Sequence, residues 1–376
     1  FSGNIAFLDL GISKSITLML GKSKSKEEAN KIFSIGIFST SVIFTIFIFL
    51  ISILVFSDVP IFGSEINIKK NLFNNVIFAS LLFLYISLFN NALIAVLDAK
   101  YLNHQVNNGY LLTSLLTNIF LYLGSLLKLN IEYLIFLPAL ANFFASLFFV
   151  FFIIKHTSIR FTKFKFKEIR DLLKLSIRFL NIDLISSMVL PINKLLIVII
   201  SGQTLFLGIF EVAVKIGRIS NSLLVTIAKP LFGVFAGEKN YSKIISISHS
   251  ISKIIFLGYI IGVCCFYVFG ESIVSFIDKI NFKDLYQISF ILIIAMGMSA
   301  VTEPFFRAIL AMEKLRLAFL TKAIVPVLNI ILFILFSELN TLLRVSLSLG
   351  LSVFISNIIL LLLQRKFISK NLMGEN

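Results

Sequence analysis

Three ionisable residues lie inside one long apolar stretch of the chain, residues 205–227. Glu211, Lys215 and Arg218 are spaced i, i+4 and i+7, so a helix presents all three on one face. A charge near the bilayer centre costs about 3 kcal/mol on insertion scales, so such residues usually face a polar cavity. An Arg guanidinium matches phosphate oxygens in a bidentate manner. The stripe, continued by Ser222, therefore predicts a cationic wall that holds an anionic group.

The alternative interpretation of this stripe is structural. An ion pair between Glu211 and Lys215 would only fix helix packing, and it would leave Arg218 unmatched within its own helix. We expect Glu211 chiefly to neutralise Lys215, and Arg218 to contact the anionic group of a substrate.

The apolar segment 172–200 carries a second set of candidate binding residues. Asp183, Ser187 and Lys194 lie close to one face of a helix. Pro191, between them, removes a backbone hydrogen bond, so we expect a kink that could serve as a hinge. Lys194 either faces a cavity or extends outward to the membrane surface, and the sequence leaves both readings open.

Two further sets of charges lie nearer the membrane surface. Glu303 and Arg307 form an i, i+4 pair in the segment 286–311, where Arg307 is close enough to the cytoplasmic end to reach it. Arg178 and Lys322 lie near the same interface in other segments. We predict that they form an access funnel for an anionic headgroup.

The composition predicts the class of protein that holds these residues. Of 376 residues, 58% are hydrophobic and only 14% are charged, and the mean hydropathy is +0.99. Soluble domains carry about 25% charged residues, so a polytopic, all-α membrane protein is the class that fits. The net charge of +15 is spread over alternate loops and not gathered into a groove. We therefore expect anionic phospholipids, and no nucleic acid, as partners of these loops.

Hydropathy predicts eleven spans, at approximately 3–20, 33–57, 72–97, 108–127, 131–154, 172–200, 204–235, 249–270, 286–311, 316–336 and 343–363. Lys and Arg concentrate in every second loop, which sets the orientation. We predict that loops 155–171 and 237–249 and the C-terminus are cytoplasmic, and that loops 58–70 and 271–284 are external.

The basic segment 155–171 divides the chain into an N-terminal lobe, 1–154, with five spans and a C-terminal lobe, 172–376, with six. Because the chain opens on apolar residues at Phe1, we expect one further helix before it, giving twelve spans in two pseudo-symmetric lobes. A weak parallel repeat, AVLDAKYL (95–102) and AILAMEKL (308–315), agrees with this division. Such two-lobed proteins are transporters that rock about a central cavity.

Several stretches together resemble the polysaccharide (O-antigen) flippase family of the multidrug/oligosaccharidyl-lipid/polysaccharide exporter (MOP) superfamily. They are AFLDLGISKSITLMLGKSKSKEEANKIFS (6–34), KLSIRFLNIDLISSMVLPINKLLIVIISGQTLFLGIFEVAVKI (174–216), KPLFGVFAGEKNYSKI (229–244) and AILAMEKLRLAFLTKAIVPVLNIIL (308–332). The resemblance implies a flippase in the bacterial cytoplasmic membrane that moves an undecaprenyl-pyrophosphate-linked oligosaccharide for surface polysaccharide biosynthesis. It also implies other polysaccharide-assembly membrane proteins as partners.

Two alternatives remain open. A multidrug or toxin exporter of the same superfamily would favour buried carboxylates and aromatic residues, and a membrane polysaccharide polymerase would show a large external loop. The sequence contains no Gly-rich phosphate loop, HExxH motif or nucleophile elbow, so we predict that the chain is not an enzyme. No spacing of His or Cys predicts a metal site, and no cofactor is expected.

Overall fold

The computed structural model describes residues 9–56, 70–277 and 282–372, and every regular element in these ranges is a helix. The helices are α1 (Ile12–Lys22), α2 (Lys26–Phe56), α3 (Lys70–Ala99), α4 (Asn103–Leu126), α5 (Ile131–Leu134), α6 (Leu137–Thr157), α7 (Phe166–Ser201), α8 (Thr204–Ala228), α9 (Leu231–Gly237), α10 (Tyr241–Ile277), α11 (Phe282–Ala311), α12 (Leu315–Leu335) and α13 (Thr341–Leu372).

Ten helical segments of the described chain are long and apolar enough to cross a membrane. They match ten of the eleven predicted spans. The remaining one, 3–20, falls partly on residues 1–8, outside the described ranges, and its described part belongs to the 11-residue helix α1. The predicted external loop 58–70 lies almost wholly outside them as well, as do residues 278–281 of the loop 271–284.

The chain forms two compact units, 1–180 and 181–376, that repeat one packing scheme. In the first unit, α3 packs against α1, α2 and α6, and α6 also packs against α4. In the second unit, α11 packs against α8, α10 and α13, and α13 also packs against α12. Each helix pair of the first unit thus has a counterpart in the second. The predicted all-α fold with two repeated lobes is confirmed, while a central cavity between the lobes stays a prediction.

The two repeat segments end their helices in the same way. After α3, the N–H of Leu102 donates to the carbonyl of Leu97 at 2.9 Å, and after α11, the N–H of Lys314 donates to that of Ile309 at 3.0 Å. The residue before each donor has a left-handed backbone, with φ of 61° and 58°, as in a Schellman cap. The repeat predicted at 95–102 and 308–315 is therefore structural, but its register is shifted by one residue, because the caps align Tyr101 with Glu313 and not with Lys314.

Two predicted spans are each broken into two helices. The span 204–235 becomes α8 and α9, which are separated by Lys229 and Pro230. Pro230 has no N–H to donate to the preceding turn, so the ladder of hydrogen bonds stops there. The span 131–154 becomes α5 and α6, with Pro138 in the first turn of α6. By contrast, α7 continues through Pro191, where we expected a kink, as one helix of 36 residues.

The turn of residues 9–11 before α1 requires its glycine. Gly11 has a φ of +70°, and a Cβ added there would lie 2.5 Å from the carbonyl oxygen of Ser176 and 2.6 Å from the Cβ of Phe179 on α7. Next to it, the carboxylate of Asp9 accepts hydrogen bonds from the N–H and the hydroxyl of Ser13, at 3.1 and 2.7 Å. The turn thus brings the start of α1 into backbone contact with α7.

Candidate functional site

The second unit contains a cavity of about 210 Å³ that is formed by α7, α8, α11, α12 and α13. Its polar wall consists of two cations, three serines and two amides: Arg218, Lys322, Ser186, Ser299, Ser356, Asn221 and Asn357. Leu, Val, Ala and Met side chains line the rest. Among its described lining residues there is no carboxylate, so the cavity carries a positive charge.

Arg218 is the predicted stripe residue that lines this cavity. Over the described chain, no carboxylate lies within ion-pair distance of its guanidinium, and its side chain is exposed. Glu211 does not neutralise Lys215, as we had expected, but forms an ion pair with Lys194 of α7. Glu211, Lys215 and Ser222 do not line the cavity.

The antiparallel arrangement of α7 and α8 explains this different pairing. The two helices are joined by a turn of two residues, in which Gly202 has a φ of +61°. Lys194 lies seven residues before the end of α7, and Glu211 lies seven residues after the start of α8, so both are about 10 Å from the turn. Lys194 therefore neither extends freely to the membrane surface nor lines this cavity. About a third of each side chain remains exposed.

Lys322 supplies the second cation from α12. Its ammonium lies 4.3 Å from the ring centroid of Phe306 on α11, which is a cation–π contact that holds the side chain in place. Lys322 begins the third turn of α12, and Arg218 lies ten residues before the end of α8. With the predicted orientation, both cations belong to the cytoplasmic half of the membrane.

The sequence analysis named none of the amide and hydroxyl groups that line the cavity. The Oδ1 atom of Asn221 is buried and has no hydrogen-bond partner. The hydroxyl of Thr302 donates to Oδ1 of Asn357 at 2.5 Å, and that of Ser356 donates to the carbonyl of Thr321 at 2.7 Å. Asn221 is three residues after Arg218, a spacing that helical periodicity alone could have identified. It faces the cavity where we had placed Ser222.

The remaining candidates do not gather at this cavity. Ser186 lines it in place of Ser187, whose hydroxyl donates to the carbonyl of Leu184 at 2.9 Å. Asp183 is half-buried and lies one turn before Ser187 on α7. Arg178 belongs to the first unit and is exposed. An access funnel that Arg178 shares with Lys322 stays a prediction.

Glu303 and Arg307 make contacts that are typical of a helix cap. Their side chains form the expected ion pair at 2.9 Å, and each is about one-fifth exposed. Arg307 also donates from Nη1 to the carbonyl oxygen of Lys229 at 3.1 Å, at the break between α8 and α9. A carbonyl at the end of a helix lacks a partner within the helix, and a cationic donor stabilises it. A role of this pair in substrate binding stays a prediction.

The chemistry that the cavity offers is anion recognition. A guanidinium provides a planar fork of donors for two oxygens, and an ammonium provides a point charge. At about 210 Å³ the cavity is smaller than the roughly 300–1,000 Å³ of whole-ligand pockets, so it fits a phosphate-sized or carboxylate-sized part of a larger molecule.

No family model and no curated protein matches the sequence. Solved structures do match. A multidrug resistance MATE family transporter of the MOP superfamily, in its outward-facing conformation, aligns at a TM-score of 0.81 and 16% identity, over 98% of this chain and 85% of the other. A Vibrio cholerae MATE transporter aligns at 0.82 and 11% identity, over 97% and 86%. A MOP superfamily transporter from Pyrococcus furiosus, described by a binding pocket of reverse polarity that suggests a different function, aligns at 0.76 and 18% identity, over 97% and 85%.

These identities are too low to carry a substrate from one protein to another, but the alignments span nearly the whole chain. The chain therefore has the fold of the MATE family transporters of the MOP superfamily.

Proposed function

We propose that this chain is a multi-pass transporter that exports an amphipathic substrate bearing an anionic group. The supporting observation is the cavity of the second unit, where Arg218 and Lys322 line the wall and no described carboxylate does. Cations that are fixed in a low-dielectric site attract anions more strongly than the same cations in water. The fold is that of exporters, which supports transport as the activity.

Two substrate classes are compatible with an anionic group. The structural neighbours are multidrug transporters, which favours an exporter of anionic amphipathic compounds. A lipid-linked oligosaccharide is the second candidate, because its pyrophosphate fits the fork of Arg218. The Pyrococcus furiosus neighbour is described by a reversed pocket polarity, which shows that pocket charge differs among proteins of this fold.

The same proposal includes the cellular setting. The positive-inside pattern supports a cytoplasmic C-terminus in a bacterial inner membrane, with basic loops that face anionic phospholipids. A flippase would in addition work beside other polysaccharide-assembly proteins. An impermeant thiol reagent tests the orientation, since a single cysteine in the loop 155–171 should stay unlabelled in intact cells that lack Cys264 and Cys265.

A binding experiment with matched variants tests the anion site. We expect the purified protein to bind a short prenyl pyrophosphate, and Arg218→Ala to weaken binding by about 10–100-fold, because a charge-assisted hydrogen bond contributes about 1.5–3 kcal/mol. Arg218→Lys should lose less, since it keeps the charge without the fork. Lys215→Ala is the control, because Lys215 is a cation of the same helix that does not line the cavity. Equal binding by wild type and Arg218→Ala would reject the site.

Transport assays separate the two substrate classes. In cells that lack the chromosomal copy, loss of surface glycan supports the flippase, whereas accumulation of anionic amphipathic dyes supports the exporter. Preferential binding of an organic cation such as ethidium would reject both candidates, because it contradicts the charge of the cavity.

A further inference from the structure

Each unit contains a pocket that is larger than the cavity at Arg218 and that the transport proposal does not use. The pocket of the first unit measures about 460 Å³ and lies between α2, α3, α6 and the segment 158–161. The pocket of the second unit measures about 510 Å³ and lies between α10, α11 and α13. These helices are counterparts in the internal repeat, so the two pockets occupy the same place in the two copies of the fold.

The spacing of the lining residues supports this equivalence. On each of the three helix pairs, lining positions of the first pocket recur at the same sequence spacing in the second, and α10 adds Ser252 and Phe256, which have no counterpart on α2. The matched sets are Phe33 and Ile37 with His249 and Lys253, Phe89 and Leu93 with Val301 and Phe305, and Val150, Ile153 and Ile154 with Ile358, Leu361 and Leu362. The one-residue register set by the two helix caps aligns Leu93 with Phe305 as well.

Both pockets are apolar inside and have a cation at the edge, but different elements supply that cation. In the first unit it is Arg160, from the segment that connects α6 to α7. In the second unit it is Lys253, from α10 itself. Both side chains are exposed, and within the described ranges neither has a carboxylate at ion-pair distance. The same combination of apolar pocket and edge cation thus arises twice from unrelated residues.

The segment that carries Arg160 is fixed to the pocket and is not a free loop. The N–H groups of Arg160 and Thr162 donate to the side chains of Asn30 and Ser34 on α2, at 2.9 and 2.8 Å. The ring of Phe161 packs 4.8 Å from that of Phe33 by centroids. Because these contacts fix the backbone of the segment, the Arg160 side chain extends from a defined position at the edge of the pocket.

The residues next to both pockets indicate what surrounds them. Large apolar side chains that border the pockets are exposed, as expected of a surface that faces lipid tails: Ile154 and Phe151 in the first unit, and Phe256, Leu257 and Leu362 in the second. An occupant from this surface would bring a hydrocarbon chain and a headgroup on one molecule. An apolar pocket with a cation at its edge complements a chain that ends in a negative charge.

We infer that the two repeat-related pockets are binding sites for anionic phospholipids, with one acyl chain in each pocket and the phosphate at Arg160 or Lys253. The two lipids would then contact the same three helices in each copy of the repeat. Anionic glycerophospholipids carry both the acyl chain and the negative headgroup that the pockets complement, and zwitterionic lipids lack the net charge.

Native mass spectrometry of the delipidated protein, titrated with phosphatidylglycerol, tests this inference. We expect two molecules to bind at low concentration. Arg160→Ala and Lys253→Ala should each remove one of them, and the double variant should remove both. Arg170→Ala and Lys174→Ala are matched controls, because these exposed basic residues of α7 line neither pocket. Phosphatidylcholine should bind more weakly to wild type and equally to all variants.

A second pair of variants tests the acyl-chain part. Val150→Phe and Ile358→Phe occupy matched positions in the two pockets and fill the apolar space while they keep the cation. Each should displace one phosphatidylglycerol molecule from a protein that remains monodisperse. Unchanged lipid counts in the alanine and phenylalanine variants would overturn the inference. Binding of a prenyl phosphate at these sites in preference to phosphatidylglycerol would overturn it as well.

Discussion

The two units share one packing scheme and differ in the partners that their polar side chains have. In the first unit, two buried pairs of polar side chains are neutral: the hydroxyl of Ser146 donates to Asn90 at 2.7 Å, and that of Ser176 contacts Ser15 at 3.1 Å. In the second unit, ion pairs hold Glu211 to Lys194 and Glu303 to Arg307, and two cations line a cavity.

The comparison distinguishes the interactions that determine the fold from the charged residues that determine what the cavity can bind. Both units form the same helix pairs with different polar residues, so apolar packing and helix caps suffice for the fold. The first unit also holds a charge, the buried Asp9 carboxylate that accepts from Ser13, but the ion pairs of Glu211 and Glu303 and the cavity cations belong to the second unit. An intramembrane charge is costly, so we expect the charges of the second unit to have a function. The following predictions test this division, from the largest expected effect to the smallest.

The close contact at Gly11 is the strongest requirement of the first unit. We expect Gly11→Ala to destabilise the protein by about 3 kcal/mol or more, because a Cβ there overlaps α7 and the backbone is left-handed. Thermal unfolding in detergent measures the loss. Gly202→Ala is the control: its φ of +61° carries the same backbone cost, but no atom lies within 4 Å of the added Cβ. Equal losses in both variants would show that overlap with α7 contributes nothing.

The cap formed by Arg307 is the corresponding requirement of the second unit. Arg307→Ala should cost about 2 kcal/mol, because it leaves the Glu303 carboxylate and the Lys229 carbonyl without this donor. Adding Glu303→Gln should recover part of the loss, since a neutral amide is easier to leave unpaired than a carboxylate. Thermal unfolding of the single and double variants measures this recovery. A double variant that is no more stable than Arg307→Ala would contradict a cap that depends on charge.

The neutral network of the first unit should be less sensitive. Asn90→Ala removes the acceptor for Ser146 and a donor to the carbonyl of Asn142, which lies at 3.1 Å. We expect a loss of about 1 kcal/mol, because Ser146 keeps a second acceptor in the same carbonyl at 3.0 Å. A double-mutant cycle with Ser146→Ala should show coupling between the two side chains. Additive losses would mean that the two residues act independently.

The turn before α10 offers the smallest and most local effect. Before α10, the ion pair with Lys243 at 2.6 Å and backbone N–H groups lower the pKa of Glu238. A lowered folded-state pKa stabilises the turn above the unfolded pKa, and that contribution disappears as the pH falls through the folded value. The protection factor of the Asn240 amide, whose N–H donates to Glu238, should therefore fall in acid more than it does in Glu238→Gln. An equal fall of the protection factor in both proteins would contradict it.

The fold could be predicted from the sequence because the patterns that indicate it each come from a short stretch of the chain. Apolar runs of span length, alternate basic loops and the repeated helix ends each depend only on local residues, and ten spans and the repeat followed from them. The break between α8 and α9 was missed because Pro230 interrupts the hydrogen bonds without ending the apolar run.

The site was less predictable because it depends on the register between helices. The partner of Glu211 is set by the two-residue turn between α7 and α8, which brings Lys194 across from it, and no spacing within α8 encodes that. Similarly, Asn221 and Ser222 are both within one turn of Arg218, and only packing against α11 and α13 decides which of them faces the cavity.

The guanidinium of Arg218 has no carboxylate partner among the described residues, so small anions can replace one another beside it. Since the described protein supplies it with no carboxylate, electroneutrality near this residue comes from mobile anions of the solution. On the proposed function, a substrate would enter by displacing a small anion, and its apparent affinity should fall as the chloride concentration rises. Export would then depend on the anion composition on each side of the membrane.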